Sequence, residues 1–509
     1  MSQAVQAKPA GAEFGKWRGF FWPIHGHEIK KILPMLLMFF FISLNYSLLR
    51  NTKDGLVVTA GGAELISFLK LFFVVPGAIL YMLYYSSLTN RLKRESLFYA
   101  TIAPFLIFLV CFGFVIYPNL DTFVLSDNNI LMQWRAGLHE SLTNTRTFML
   151  ALKFWPQTIF YVMAELWGSV VLSLLFWAFA NEITKVTEAK RFYGLFGLGA
   201  NLALMALSPL NKAILGLEHY LGASGFVKID AIQLIVYTTI ISALVVMGIY
   251  RWINLNVLTD PRFYDPNEVK QPKKAKVKMK IGESIKFLVT SPTLLCLAGL
   301  VVCYGISINL IEVNWKNQLK QMFPDRNDYA LYMNGYSFWL GVVTVSSMLF
   351  VSGNVIRHFG WRIAALVTPV TLVITGLGFF TILLCKDAEW LSQTLVALQM
   401  TPIGLAVFIG MIQNVISKAA KYSLFDPTKE MAYIPLDPEL KSKGKAAVDV
   451  VGARVGKAGG AAVVIALLGS IPNATISSIA PYMATITFVI LGLWMLSANR
   501  LSKELKDKV

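Results

Sequence analysis

The chain has 509 residues, of which 56% are apolar and 15% charged, with a net charge of +17 and a mean hydropathy of +0.58. Ordinary soluble domains carry roughly a quarter charged residues, so this composition excludes a soluble enzyme. Many separate apolar runs reach the roughly 20 residues needed to cross a bilayer, as in an all-α polytopic membrane protein. The four cysteines, Cys111, Cys296, Cys303 and Cys385, have neither paired nor metal-ligand spacing, so neither a disulfide nor a metal site is expected.

Residues 1–31 form an N-terminal segment without a signal-peptide core and cleavage site. The first six-helix half, 32–253, reads as spans at 32–51, 65–88, 97–117, 154–181, 191–210 and 232–253. A linker at 254–283 holds Pro261, Pro266, Pro272 and the run KKAKVKMK, a solvated basic segment rather than a nucleic-acid site. The second half, 284–498, reads as spans at 291–315, 329–353, 361–384, 393–417, 446–471 and 480–498, followed by a tail at 499–509. Lys16, Arg18, Lys30, Lys31, Arg91, Lys93, Arg94, Lys185, Lys190, Arg191, the basic linker, Arg357, Arg362, Lys418, Lys421, Lys441, Lys443 and the tail all fall on one side of twelve spans. By the positive-inside rule both termini are cytoplasmic, and the connection 118–153 lies outside.

Short echoes support two halves of six spans. Residues 42–45, ISLN, recur at 306–309 as ISIN, and Asn181-x-Ile-Thr-Lys185 resembles Asn414-x-Ile-Ser-Lys418. Two six-helix halves joined by a cytoplasmic loop form a major-facilitator-like 6+6 arrangement with pseudo-symmetric halves, whose substrate site lies near the midplane between them.

Charges inside the spans carry most of the functional signal. Lys70 is in the second span; Glu165 is in the fourth, on a stripe with Thr158, Tyr161, Gly168 and Ser169. Glu312 is in the seventh, in line with Gly305, Asn309 and Lys316. On a helical wheel of the eleventh span, Arg454 and Lys457 share one face, and Asp449, Gly452, Gly456 and Gly459 share another. The small-residue face allows a neighbouring helix to approach closely. Each buried charge costs about 2.5–3.5 kcal/mol at mid-helix on insertion scales, so such residues more often mark a pathway. Pairing that only locks helices together is the alternative, but it brings little net stability over apolar packing. Asn201, on a Gly194–Gly197–Asn201 face, either opens its amide to a cavity or is capped within its helix. Arg50 and Lys53 end the first span, at an outer mouth or in the interface, and Lys445 and Asp449 form a local i,i+4 pair. Aromatics such as Trp167, Trp177 and Phe192 read as packing groups.

Two glycine patterns fail as nucleotide motifs. Gly452-x-x-x-Gly456-Lys457-Ala458 is one residue short of a phosphate loop, lacks the following Ser/Thr and lies in an apolar helix. Gly194-x-x-Gly197-x-Gly199 has no strand before it. With no Ser/His/Asp set, enzymatic activity is not expected, and no cofactor is implied.

Several stretches resemble the ATP/ADP translocases of obligate intracellular bacteria and plastids. They are Phe68-Leu-Lys70, Tyr161 to Ser169 (YVMAELWGS), Phe192 to Asn201 (FYGLFGLGAN), Tyr304 to Glu312 (YGISINLIE) and Lys421 to Asp449, which begins KYSLFDPTKEMAYIPLD. The short N-terminal segment is unlike a plastid transit peptide, so the bacterial branch is expected, and the likeness is to its chlamydial members. The resemblance implies an antiporter of the bacterial inner membrane that exchanges ATP for ADP, together with phosphate. It implies lipid surroundings, no nucleic-acid partner and function as a monomer. By motif, the four charged residues implicated in transport in that family fall on Lys70, Glu165, Glu312 and Lys457, and Asn201 is a further candidate substrate contact. On this reading Lys457, Arg454 and Lys70 neutralise polyphosphate, and Asn201 and Asn309 hydrogen-bond the nucleotide. Glu165 and Glu312 either hold the cations apart when the site is empty or form gating pairs that substrate must disrupt. A proton-coupled nucleotide importer, with Glu165 or Glu312 carrying the proton, is the alternative within the same family.

Overall fold

A computed structural model describes residues 24–89, 91–139, 142–184, 186–224, 229–263, 292–396, 399–433, 448 and 453–506. Among these the chain is helical and forms no strand. Helix α1 covers Ile29–Gly61, α2 Ala63–Thr89 and α3 Arg94–Phe123. Two short helices, α4 (Ile130–Gly137) and α5 (Thr143–Lys153), precede α6, Trp155–Ala180. The first group ends with α7, Val186–Ser224, and α8, Ala231–Asn256. The second group contains α9 (Pro292–Met322), α10 (Arg326–Ile356), α11 (His358–Cys385) and the short α12 (Glu389–Val396). It continues through α13 (Pro402–Ala432), α14 (Ala453–Ser470) and α15 (Ile476–Lys506).

Eleven helices among the described residues are long and apolar enough to cross a membrane. The remaining expected span, 446–471, is described only at Val448 and as the shorter α14. Outward faces carry exposed Leu80, Leu83, Ile107, Phe114, Ile241 and Leu496, as lipid requires.

Helix starts follow local chemistry. The Asp325 carboxylate accepts from the backbone N–H of Asn327 at 2.7 Å and of Asp328 at 3.2 Å, capping α10. Thr401 Oγ1 accepts from Gly404 N at 3.0 Å ahead of α13, with Pro402 in its first turn. α1 stops at Gly62, whose φ of 92° lies in the left-handed region that glycine tolerates. At 33 residues α1 is roughly 50 Å long, far longer than a bilayer core. The sequence places its end near residue 51 because Arg50, Lys53 and Asp54 interrupt the apolar run.

π-helical turns occur at Leu69–Val74, Phe112–Ile116, Gly168–Phe176, Met348–Ser352 and Lys421–Phe425. Four of them fall in α2, α10, α6 and α13, the second, eighth, fourth and tenth expected spans, which correspond under a six-span repeat. Residues 42–45 and 306–309 likewise sit at matching depths in α1 and α9. The Asn181/Asn414 echo is not structural: Asn181 lies near the end of its helix at Ile183, whereas Asn414 is mid-helix in α13.

α1 and α9 run parallel, so Gly61 and Met322 share one end of the molecule, here the distal end. Their beginnings share the other, proximal end. Polar contacts joining the two groups gather in the distal half. Asn51 Nδ2 donates to Met333 O (3.1 Å), Asn334 Oδ1 (2.7 Å) and Ser337 Oγ (2.9 Å). Asn334 Nδ2 donates to Asn211 Oδ1 at 2.9 Å, and Asn211 Nδ2 to Leu331 O at 3.1 Å. Apolar packing follows suit: Val57, Val58, Ala63, Leu65, Ile66 and Leu69 belong to the core of the second group. The connection 118–153 also reaches across, with Asn144 Nδ2 donating to Ile465 O of α14 at 3.2 Å. The glycine seam expected on the eleventh span packs α14 on α9; a Cβ at Gly456 would stand 3.2 Å from Gly305 Cα, and one at Gly460 2.7 Å from Asn309 Cβ.

Candidate substrate site

The long α1 brings Arg50, Lys53 and Asp54 to the junction between the groups. Asp54 is fully buried and bridges two lysines: Lys53 Nζ lies 2.8 Å from Oδ1, and Lys316 Nζ of α9 2.8 Å from Oδ2. Lys53 also reaches Glu165 Oε1 of α6 at 3.1 Å and stands 3.9 Å from the centroid of the Tyr161 ring. Glu312 gathers three cations: Lys316 at 2.8 Å, Lys418 of α13 at 3.3 Å and Arg50 at 3.6 Å. Lys70, half-buried on the π turn of α2, is close enough to interact electrostatically with Lys316, Glu312, Glu165 and Lys53. Such turns recur at functional sites because they displace a side chain from regular helical register.

Among the described residues five cations (Arg50, Lys53, Lys70, Lys316 and Lys418) therefore surround three carboxylates (Asp54, Glu165 and Glu312), two positive charges more than the carboxylates balance. The hydroxyls of Tyr161 and Tyr336, both buried beside these ions, have no hydrogen-bond partner. Buried charges need partners or an ionic ligand. This cluster meets part of that need internally, with cations to spare.

Three of the family-type residues, Lys70, Glu165 and Glu312, thus meet in one place, together with Tyr161. Arg50 and Lys53 are neither at a mouth nor in an interface: they are core members of the cluster, because α1 continues well past them. Lys418, expected in a loop, is 3% exposed within α13 and pairs with Glu312. Lys31, also expected as a loop charge, is buried against Glu188 Oε2 at 2.7 Å and Phe263 O at 2.8 Å. Asn201 is buried, and its amide donates to Gly197 O at 2.9 Å within its own helix, the capped alternative. Asn309 lies one turn from Glu312 on α9, against Gly460. Arg454 and Lys457 are on the first turns of α14, but their side chains lie outside the described residues. Lys445 and Asp449 lie outside them altogether. Trp167 is buried and donates to Ile42 O at 3.2 Å, a packing role, and Phe192 is buried in the first group's core.

Sequence reasoning missed Asp54 and Lys418 and treated Lys316 only as a neighbour of Glu312. The i,i+4 spacing of Glu312 and Lys316 was a usable signal. Asp54 had none beyond adjacency to Lys53, since its burial depends on the length of α1.

A cavity of about 520 Å³ opens distally, lined by Leu56, Thr59, Lys153, Gln157, Asp325 and Arg326 among others. It sits about one helical turn beyond the ion cluster, and its lining mixes both signs of charge.

The family profile described as TLC ATP/ADP transporter matches residues 8–505. The chain belongs to this family. It is 51% identical over 497 residues to ADP,ATP carrier protein 1 of Chlamydia pneumoniae, covering 96% of this chain and 94% of that one. It is 44% identical to the chloroplastic ADP,ATP carrier protein 1 of Arabidopsis thaliana, covering 94% and 74% of the two chains. Among solved structures, a bacterial homologue of the iron transporter ferroportin in an inward-facing state superposes with a TM-score of 0.57 at 13% identity. That match covers 94% of this chain and 100% of the other, and shows a shared transporter fold. This family member is a membrane carrier and not an enzyme.

Proposed function

We propose that this chain is an ATP/ADP antiporter of a bacterial inner membrane, importing ATP in exchange for ADP and phosphate. The carrying observation is the cluster in which, among the described residues, cations outnumber carboxylates by two, held between two helix groups in a member of an ATP/ADP transporter family. A polyphosphate brings several negative charges and many acceptor oxygens, and clustered Lys and Arg groups are their physical complement. In the empty site Glu312 and Asp54 stand in for the substrate. Incoming phosphates would compete with Glu312 for Arg50, Lys316 and Lys418, and with Glu165 for Lys53. Lys70 adds charge from the π turn of α2, and Lys457, through the family motif, and Arg454, through its place on the helical wheel, are assigned the same role.

Obligatory exchange follows from the same electrostatics. An empty site must recover its internal pairs before the halves, 32–253 and 284–498, can rock past one another, whereas a loaded site is already neutralised. Both termini and the 254–283 linker are assigned to the cytoplasm by the loop charges. The distal seal then closes the outer side. The reading takes a monomer in lipid as the functional unit.

Proteoliposomes test this directly. Uptake of labelled ATP should require internal ADP and ignore a pH gradient. Uptake into empty vesicles driven by external acid would overturn exchange in favour of proton coupling.

A further inference from the structure

The structure points to a second subsite, next to the ion cluster, that the charged residues do not explain. Three tyrosines and a lysine lie one to two helical turns proximal of it, and a fourth tyrosine borders the ions. Tyr46 precedes Arg50 by one turn of α1, Tyr422 follows Lys418 by one turn of α13, and Tyr304 precedes Glu312 by about two turns of α9, offsets of about 6, 6 and 12 Å. Tyr336 of α10 completes the set, with Lys418 Nζ 5.4 Å from its ring centroid. Lys421 Nζ stands 4.5 Å from the centroid of Tyr422 and 5.8 Å from that of Tyr304, and it pairs with Asp426 at 2.8 Å.

Some of these rings are floor and some are surface. Phe425 and Trp494 are buried and pack edge to face at 5.3 Å. Tyr304 lies over Phe425 at 5.7 Å with planes 22° apart, so one of its faces is supported. Tyr304, Tyr422, Tyr46 and Lys421 themselves are only half-buried. The Tyr46 ring is seated against the backbone of Gly168, at the start of the π turn in α6, where any Cβ would displace it. The Tyr336 hydroxyl is buried and unpartnered, at the border between the rings and the ions. Gly456 of α14 meets α9 at Val301, Val302 and Gly305, which sets the α14 backbone at the level of Tyr304.

Resting on the exchange reading above, we infer that Tyr304, Tyr422 and Tyr46 form the nucleobase subsite. They stack the purine while its phosphates occupy the cations one turn deeper, and the Tyr336 hydroxyl meets the sugar–phosphate between them. Supported aromatic faces beside a cationic cluster are what a base with an attached phosphate chain requires. Inorganic polyphosphate would fill only the deeper part.

The test uses the full chain in ADP-loaded vesicles. Tyr304→Leu and Tyr422→Leu should each raise the half-saturating ATP concentration about tenfold or more. Inhibition by inorganic tripolyphosphate should stay at its wild-type level, and Tyr304→Phe and Tyr422→Phe should restore ATP affinity. Leu variants with unchanged ATP affinity, or parallel weakening of tripolyphosphate, would overturn the subsite. A wild-type measurement decides the matter without any variant: ribose 5-triphosphate, which lacks a base, should compete far more weakly than ATP. Equal competition sinks the inference and leaves exchange standing. Absence of exchange by the wild type would instead remove the transport reading, and this subsite with it.

Discussion

The distal and proximal sides of the junction are built from different chemistry. Distally, Asp54–Lys316, the Asn51–Asn334–Asn211 chain and Asn144–Ile465 add discrete polar contacts to the apolar packing of Val57, Leu65 and Ile66 against the second group. Proximally, half-buried Tyr46, Tyr304, Tyr422 and Lys421 present rings and a cation. A seal made only of interlocked apolar side chains would resist reopening, because close-packed cores do not slide easily. Hydrogen bonds and ion pairs can be exchanged for equivalent ones with water or substrate at modest net cost. The distal contacts therefore read as a closure meant to be undone, and the proximal surface as one meant to receive.

The most severe way to break this contrast is Lys316→Ala. It removes the one cation among the described residues that pairs with both Asp54 and Glu312, the inter-group bridge and the local pair together. Stranding buried carboxylates costs about 3–5 kcal/mol, so the melting temperature in detergent should drop strongly and ADP-dependent ATP uptake should be lost. A variant that melts and transports like the wild type would show that the cluster is solvated and not a working junction.

Asp54→Asn is milder and more diagnostic, since it keeps the volume and removes the charge that holds Lys53 and Lys316. The distal side should spend more time open. With the four native cysteines replaced by serine and Thr59→Cys placed in the distal cavity, labelling by a membrane-impermeant thiol reagent should quicken several-fold. Unchanged labelling would detach Asp54 from the closure.

Much of this was legible in the sequence, for reasons tied to particular residues. Lys70, Glu165 and Glu312 stand out because a charge in an apolar run is costly, so few are present and each is informative. The glycine seam of α14 was visible because small residues at helical spacing mean close helix contact, and Gly456 does meet Gly305. Burial depth was the hidden variable. Arg50, Lys53, Asp54 and Lys418 lower the local apolar average, so α1 and α13 appear to end where they pass through the cluster. The same charges that form the site disguise the helices that carry it. The aromatic group was hidden for a different reason: Tyr46, Tyr304 and Tyr422 come from three helices, and a tyrosine in a span usually packs.

Asn51→Ala tests the amide chain beside the ion pairs. Its Nδ2 lies within hydrogen-bonding distance of three acceptors on α10; Met333 O keeps the Ser337 hydroxyl as a donor, but the buried Asn334 Oδ1 loses the Asn51 amide, at a cost of about 1–3 kcal/mol. Melting should fall moderately and Thr59→Cys labelling should rise, by less than with Asp54→Asn. A melting change with no change in labelling would mean that the chain stabilises the fold without holding the two groups together.

The smallest effect is expected at the glycine seam, and it serves as the control for all the others. A methyl group at Gly456 meets Gly305 Cα and Val302 O, both at 3.2 Å, so α14 must move off α9 by a few tenths of an ångström. Overpacking of this size costs about 1 kcal/mol. Both helices belong to the second group, so Gly456→Ala strains that group mainly from within, and of the inter-group polar contacts named above only Asn144–Ile465 involves α14. Its melting temperature should fall slightly while Thr59→Cys labelling stays at the wild-type rate. Asn51→Ala and Gly456→Ala then separate the two kinds of contact: one change alters how the groups meet, the other mainly how one group is packed. If the seam variant also opened the distal cavity, the division between fixed packing within a group and exchangeable contacts between groups would fail.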